Sequence, residues 1–218
     1  MSRKAKVMIV EDHPIFRKGL AQLINEEKDM EICGEAEDVI EAKKILVKAR
    51  PDMMIVDLTL KGVSGLNLIK DFHEHLPDLP ILVLSMHDES IYAERVLRAG
   101  ARGYIMKQEM TDKVIVAIRH VLAGKMFFSE SVVESFLGMM TGKPAASPQN
   151  PIDTLSDREL EVFTLIGKGT GRKEIGDKLH VSIKTVGTYR EKIKMKLGIK
   201  SSPELVRRAV EWVQEQGE

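Results

Sequence analysis

The sequence predicts an α/β fold: a doubly wound, five-stranded parallel sheet, followed by a small all-α domain. Three observations predict it. Apolar runs of strand length, each ending on a polar or charged residue, alternate with segments of helical periodicity from about residue 5 to 124. A stretch with three prolines and many small residues, 141–154, interrupts that pattern. Beyond it only helical periodicity remains.

The first strand lies in "KVMIVEDH", 6–13, an apolar run that stops on Glu11 and Asp12. Phe16, Leu20, Leu23 and Ile24 follow at helical spacing. "EICGEA", 31–36, is a shorter strand in which Cys33, the single cysteine, reads as a small buried hydrophobe. Ile40, Ile45 and Leu46 mark the next helix. "PDMMIVDL", 51–58, has Met53, Met54, Ile55 and Val56 ending on Asp57. A continuous apolar run suits a strand covered on both faces, where an ionised carboxylate is costly inside and tolerable at the end. Leu66, Leu68, Ile69 and Phe72 give a helix, and "PILVLSMH", 80–87, gives a strand that stops on Ser85. Tyr92, Val96 and Leu97 form the following helical stripe, "GYIMK", 103–107, is a strand ending on Lys107, and Val114, Ala117, Ile118 and Val121 close the series. An amphipathic piece spans 129–140 and leads into the linker, after which helices are expected over 156–166, 173–179, 182–197 and 203–216. The expected domains are 1–124, a helix-and-linker segment 125–154, and 155–218.

Doubly wound parallel sheets bind ligands beyond the carboxyl ends of their strands. Glu11, Asp12, Asp57, Ser85 and Lys107 should therefore meet at one edge. Three carboxylates crowded there repel one another and call for a cation, and an all-oxygen donor set suits Mg²⁺. Next to such an ion, Asp57 is placed as a nucleophile that becomes an acyl phosphate, with Lys107 and the Ser85 hydroxyl able to hold phosphoryl oxygens. Taken singly, each residue reads as an ordinary cap, turn or strand end; it is their order along the strands that argues for a site.

The chain of 218 residues carries 33 basic and 33 acidic residues, so its formal charge is zero, but the balance is uneven. Between Val181 and Lys200 stand Lys184, Arg190, Lys192, Lys194, Lys196 and Lys200 against the single acid Glu191. One cysteine excludes an internal disulfide, the apolar run near the start is too short for a signal peptide, and no stretch approaches a membrane span. A cytoplasmic protein without membrane contact is expected.

Residues 5–124 resemble the receiver domain of bacterial response regulators, a flavodoxin-like fold. The resemblance puts the paired acids at Glu11 and Asp12, the phosphoacceptor at Asp57, the hydroxyl at Ser85 and the lysine at Lys107. It further implies that Tyr104 is the aromatic that reorients on phosphorylation, and that the Thr59 backbone carbonyl completes the Mg²⁺ site with Glu11, Asp12 and Asp57. Where receivers commonly read Met-Pro after the acceptor segment, this chain reads Leu60-Lys61, and Met86 is bulkier than the small residue often found after the hydroxyl.

In the second half, Leu179 and Val181 flank a short turn, Ser182 is placed to cap the next helix, and Ile183, Val186, Ile193 and Leu197 give that helix an apolar face opposite its basic stripe. A basic helix after a tight turn is the helix-turn-helix arrangement, whose second helix enters the major groove. "LSDREL", "GRKEIGDKL" and "SIKTV" with "KLGI" resemble the LuxR-type DNA-binding domain, and a receiver joined to it is the NarL/FixJ class of response regulator. The resemblance implies DNA contacts from Lys184, Thr185, Gly187, Thr188, Arg190, Glu191, Lys192 and Lys194. It also implies a sensor histidine kinase as phosphodonor, double-stranded DNA as ligand, and a homodimer when phosphorylated. The expectation is a phosphorylation-dependent transcriptional regulator and not an enzyme. Two rivals stand beside it: a receiver serving only as a phosphate-indifferent dimerisation module, and a phosphatase or mutase using Asp57. The second is disfavoured because such enzymes commonly carry another Asp where this chain has Thr59.

Overall fold

The computed structural model describes residues 3–60, 63–86, 89–130, 132–134 and 151–215. The chain divides into two compact units, Met1–Phe136 and Leu137–Glu218. Residues 135–140 of the expected amphipathic stretch and 141–150 of the expected linker lie outside the described residues.

In the first unit, β1 (Ala5–Val10), β2 (Met30–Ala36), β3 (Met53–Asp57), β6 (Ile81–Ser85) and β7 (Gly103–Met106) form one parallel sheet in the order β2-β1-β3-β6-β7. Helices α1 (Pro14–Asn25), α2 (Val39–Ala49), α3 (Gly65–His75), α4 (Glu89–Arg98) and α5 (Met110–Leu122) connect the strands. Every residue of β3 and β6 is buried, as their continuous apolar runs require. One face of the sheet packs Val7, Ile9, Met53, Ile55, Leu82, Leu84 and Ile105 against Leu20 and Ile24 of α1 and Val114, Ile118 and Val121 of α5. Full burial of such side chains contributes roughly 1.5 to 3 kcal/mol each before entropy is counted.

Two details depart from the expected pattern. Between β3 and α3 lies a two-stranded antiparallel hairpin, β4 (Thr59–Leu60) with β5 (Val63–Ser64), too short to leave a periodic signal. Cys33 is only partly buried, because β2 is an edge strand with a shift in its pairing to β1 between Val7 and Met8. At the other edge, Phe127 bridges to Gly103 of β7, exchanging hydrogen bonds with Arg102 and Tyr104 at 2.9 Å each. Just beyond, the Ser129 amide donates to the Glu89 carboxylate on the first turn of α4 at 2.8 Å.

The second unit is helical: a 3₁₀ turn Pro151–Thr154, then α6 (Asp157–Gly167), α7 (Arg172–Lys178), α8 (Ile183–Leu197) and α9 (Ser202–Glu215). The last four residues of the expected linker, Pro151–Thr154, form this 3₁₀ turn, whose Ile152 is buried. A capping box starts α6, with Ser156 and Glu159 each accepting from the other's amide. The stripe Leu205, Ala209, Trp212 and Val213 on α9 is buried as its spacing predicts, with Trp212 tilted against Phe163 at 5.7 Å. Gly167 permits the approach of α9, since a Cβ there would lie 2.4 Å from the Ala209 carbonyl oxygen.

Candidate functional site

Strand register brings the pocket residues together. Val10 pairs with Val56, so Glu11 and Asp57 follow side by side at the strand ends; Asp57 is level with Leu84, and Ser85 with Met106. Lys107 opens a 3₁₀ turn directly after β7, one residue past the strand end expected for it. Its Nζ lies 2.8 Å from Asp57 Oδ2 and 2.6 Å from Glu11 Oε2, all three side chains being nearly enclosed. The same ammonium sits 4.5 Å over the centre of the Phe16 ring. Asp57 Oδ1 accepts from the Thr59 amide at 3.1 Å, so both of its oxygens are held.

Burial pushes the Asp57 carboxyl up to about 7; Lys107 opposes this and Glu11 adds to it. Burial by itself would lower the Lys107 ammonium, but Asp57 and Glu11 outweigh it and hold the group above its ordinary value. Lys107 is therefore the charged centre on which two carboxylates converge, and any new negative charge at Asp57 acts on it directly.

Ser85 and Tyr104 are buried too, but by strand alternation they lie on the face opposite Leu84 and Ile105. Met86, next to Ser85, is exposed.

Two contributors escaped the sequence reading. His13 Nδ1 lies 3.0 Å from Glu11 Oε1 and 2.9 Å from Asp12 Oδ1, which puts its ring in the acid cluster; the signal was its place directly after the acid pair. Gly65 lies so close to the backbone after β3 that a Cβ would stand 2.0 Å from the Asp57 carbonyl oxygen, and its amide donates to Leu58. Donor atoms of Glu11, Asp12, His13 and Asp57 all lie within 4.8 Å of one another, a set dominated by carboxylate oxygens and suited to a hard divalent cation.

In the second unit, α7 and α8 are joined through His180, whose φ of 53° is left-handed, and Val181, whose amide donates to the Gly176 carbonyl. A Cβ at Gly176 would stand 2.8 Å from the Val181 carbonyl oxygen, so the turn requires glycine there. Ser182 caps α8 by accepting from the Thr185 amide at 3.0 Å.

The expected DNA-contact residues divide into two groups. Lys184, Thr188, Glu191 and Lys192 are exposed, with Thr185 and Gly187 half-buried beside them. A Cβ at Gly187 would meet nothing within 4 Å, so packing within the domain does not require glycine at that position. Lys194 is largely covered and pairs with Glu191 at 2.9 Å. Arg190 does not join the exposed stripe: it is only 7 % exposed and lies between Val186 and Ile193 on the inner face. Ile183, expected on that face, is 54 % exposed at the first position of α8. Lys196, another cation of the expected basic stripe, donates to the Thr154 carbonyl and pairs with Glu159 at 2.6 Å, tying the end of α8 to the start of α6.

Residues 7–119 match the model of the response regulator receiver domain, and residues 153–209 that of the bacterial regulatory proteins of the luxR family. The chain belongs to the response regulators. This response regulator is 40 % identical over 209 residues to the oxygen regulatory protein NreC of Staphylococcus carnosus, covering 94 % of the chain and 96 % of that protein. NreC of Staphylococcus epidermidis is 39 % identical over 210 residues, with the same coverage. Among solved structures, the RcsB response regulator of Salmonella typhimurium, in a study of conformational dynamism for DNA interaction, matches with TM-score 0.64 and 28 % identity over 96 % of this chain and 98 % of that one. RcsB bound to the promoter rprA in the presence of the phosphomimetic BeF3⁻ matches with TM-score 0.60 and 28 % identity over 94 % and 98 %. A receiver joined to a LuxR-type DNA-binding domain is the architecture of a phosphorylation-dependent transcription regulator, with histidine kinases as phosphodonors and DNA as ligand. Among the described residues, no helix is long and apolar enough to cross a membrane.

Proposed function

We propose that this response regulator takes a phosphoryl group onto Asp57 from a sensor histidine kinase and, in that state, binds DNA as a homodimer through α8. The observation that carries the reading is the enclosed Lys107 ammonium shared by Asp57 and Glu11. A carboxylate oxygen of Asp57 attacks phosphorus, the phosphorus–nitrogen bond of phosphohistidine breaks, and the imidazole leaves with the electron pair. Lys107 stays charged and follows the phosphoryl oxygens, while Glu11 loses part of its partner. Ser85, one residue beyond the row of Asp57 and Leu84, donates its hydroxyl to the phosphoryl group, and Tyr104 moves on the same face of the sheet.

Held by Glu11, Asp12, Asp57 and the Thr59 carbonyl, Mg²⁺ would neutralise phosphoryl oxygens and favour the ionised form of Asp57. The movement at Ser85 has a short route onward: α4 begins at Glu89, and Glu89 holds the Ser129 amide at the exit of the first unit. The working boundaries are a receiver over 1–124, a connecting segment over 125–154 and the DNA-binding domain over 155–218, in a cytoplasmic protein.

On α8, Lys184 and Lys192 reach phosphates, while Thr188 and Glu191, one turn apart and exposed, read base edges with Thr185 and Gly187 of the preceding turn. Lys194 sets the position of the Glu191 carboxylate. Intact mass after incubation with acetyl phosphate and Mg²⁺ tests the first step: the wild type gains one phosphoryl increment and Asp57→Ala gains none. An increment retained in Asp57→Ala would move the acceptor elsewhere.

A further inference from the structure

His13 stands directly after the acid pair and before Pro14, the first residue of α1. A polar side chain at that position commonly caps the first helical amides, yet the side chain of His13 makes no cap hydrogen bond. Its ring turns back to the acids instead, with Nδ1 3.0 Å from Glu11 Oε1 and 2.9 Å from Asp12 Oδ1. Glu11 does not need the ring as a donor. Its Oε1 accepts the His13 backbone amide at 3.0 Å, and its Oε2 lies 2.6 Å from the Lys107 ammonium. The spacing is that of ligands around an ion: two atoms bound at about 2.1 Å and at right angles stand about 3.0 Å apart. An oxygen of Asp57 completes the set, in which all ligand atoms lie within 4.8 Å of one another. The Glu11 and Asp12 side chains are 2 % exposed and that of His13 63 %, so the ring forms the mouth of the pocket and is open to an ion arriving from solvent.

Resting on the reading of the acid pocket as a divalent-cation site, we propose that His13 is a nitrogen ligand that makes the pocket select a first-row transition-metal ion over Mg²⁺. Imidazole nitrogen is a good ligand for such ions, whereas Mg²⁺ holds to oxygen donors and keeps several of its waters. The carboxylates serve both kinds of ion, so the discrimination resides in the ring. With Mg²⁺ the ring stays outside the coordination sphere; with Mn²⁺ or Co²⁺ Nδ1 joins it. The gain from a nitrogen ligand rises from Mn²⁺ to Co²⁺, so Co²⁺ depends on His13 more than Mn²⁺ does. His13 thus sets which ion stands beside Asp57 when the phosphoryl group arrives.

The test titrates the unphosphorylated full chain with MgCl₂, MnCl₂ and CoCl₂ by calorimetry, and records pulsed electron paramagnetic resonance of the Mn²⁺-loaded protein. His13→Ala should weaken Mn²⁺ binding by about tenfold and Co²⁺ binding by more, while Mg²⁺ affinity stays within about twofold. The Mn²⁺ signal of the wild type should carry the modulation of a directly bound nitrogen, and that of His13→Ala should not. A wild-type Mn²⁺ signal without nitrogen coupling would overturn the proposal. So would an equal loss for all three ions in His13→Ala, which would make the ring a support for the acids. Asp12→Asn separates the two readings, since it removes a carboxylate that every ion needs. If it weakens all three ions while the wild type shows no bound nitrogen, the role of His13 is wrong and the cation site stands. A wild type that binds none of the three ions would refute both.

Discussion

Lys107 and Lys194 each hold a carboxylate at under 3 Å, Lys107 that of Asp57 in the acid pocket and Lys194 that of Glu191 on α8. The Lys107 side chain is 5 % exposed and its partners 2 %, whereas Glu191 is 71 % exposed. At the same separation, the enclosed pair interacts through a medium far less polarisable than water, and the exposed one through water and salt. The pocket therefore responds strongly to one added charge, which is what a phosphoryl group brings. An exposed pair such as Glu191 with Lys194 contributes little to the fold, and the proposed role of the exposed cations of α8 is to displace counterions from DNA.

The largest effect expected from breaking this contrast is at Lys107. Lys107→Met leaves Asp57 and Glu11 enclosed without their counter-charge, and urea unfolding should show a loss of about 3 to 5 kcal/mol, less if Asp57 protonates. Added Mg²⁺ should recover part of it. A loss below about 1 kcal/mol would mean that the pocket is screened like a surface.

Next comes the pH dependence of stability. Asp57 has a folded-state pKa of about 7 against an ordinary value of 3.8, so between those values the folded chain binds more protons than the unfolded one. Stability from this group is present below pH 4 and is lost as pH rises toward 7, at up to about 1.4 kcal/mol per pH unit. Asp57→Asn should flatten that decline and be more stable than the wild type at pH 8 in the absence of divalent cations. Parallel pH profiles for the two proteins would place Asp57 in an ordinary carboxylate environment.

The smallest effects belong to α8. Glu191→Ala should change unfolding free energy by under about 0.5 kcal/mol, since an exposed pair at this spacing contributes little. On DNA the same change should relax preference at one base pair by roughly 1 to 3 kcal/mol and raise non-specific affinity. Binding across single-base operator variants separates these: a uniform shift over all variants would leave Glu191 with only a charge effect.

The sheet was legible because its strands are covered on both faces: Met53 to Val56 and Ile81 to Leu84 read as unbroken apolar runs, and the polar residues that end them mark the carboxyl edge. The pocket followed from that edge, since Glu11, Asp57 and Lys107 converge through register alone. Cys33 misled because an apolar-looking strand does not announce that it is an edge, and β4 and β5 are too short to carry a period. His13 could not be distinguished from a helix-entry residue until its ring was seen against both acids. On α8, charge type suggested one basic stripe, but side-chain direction divides it: Arg190 goes inward, Lys196 goes to Glu159, and Lys184 and Lys192 remain outside. Periodicity alone could not show this, because a basic residue within an apolar stripe reads as a misfit and not as a buried group.

The proposed coupling links charge added at Asp57 to DNA binding by α8. Its most direct test is the affinity for an operator duplex, selected from a random library with the phosphorylated protein, measured for the wild type and Asp57→Ala before and after treatment with acetyl phosphate and Mg²⁺. The account predicts that treatment tightens wild-type binding by about tenfold or more, within the range of a typical coupling free energy, and leaves Asp57→Ala unchanged. Equal wild-type affinities before and after treatment, or a gain that persists in Asp57→Ala, would contradict it.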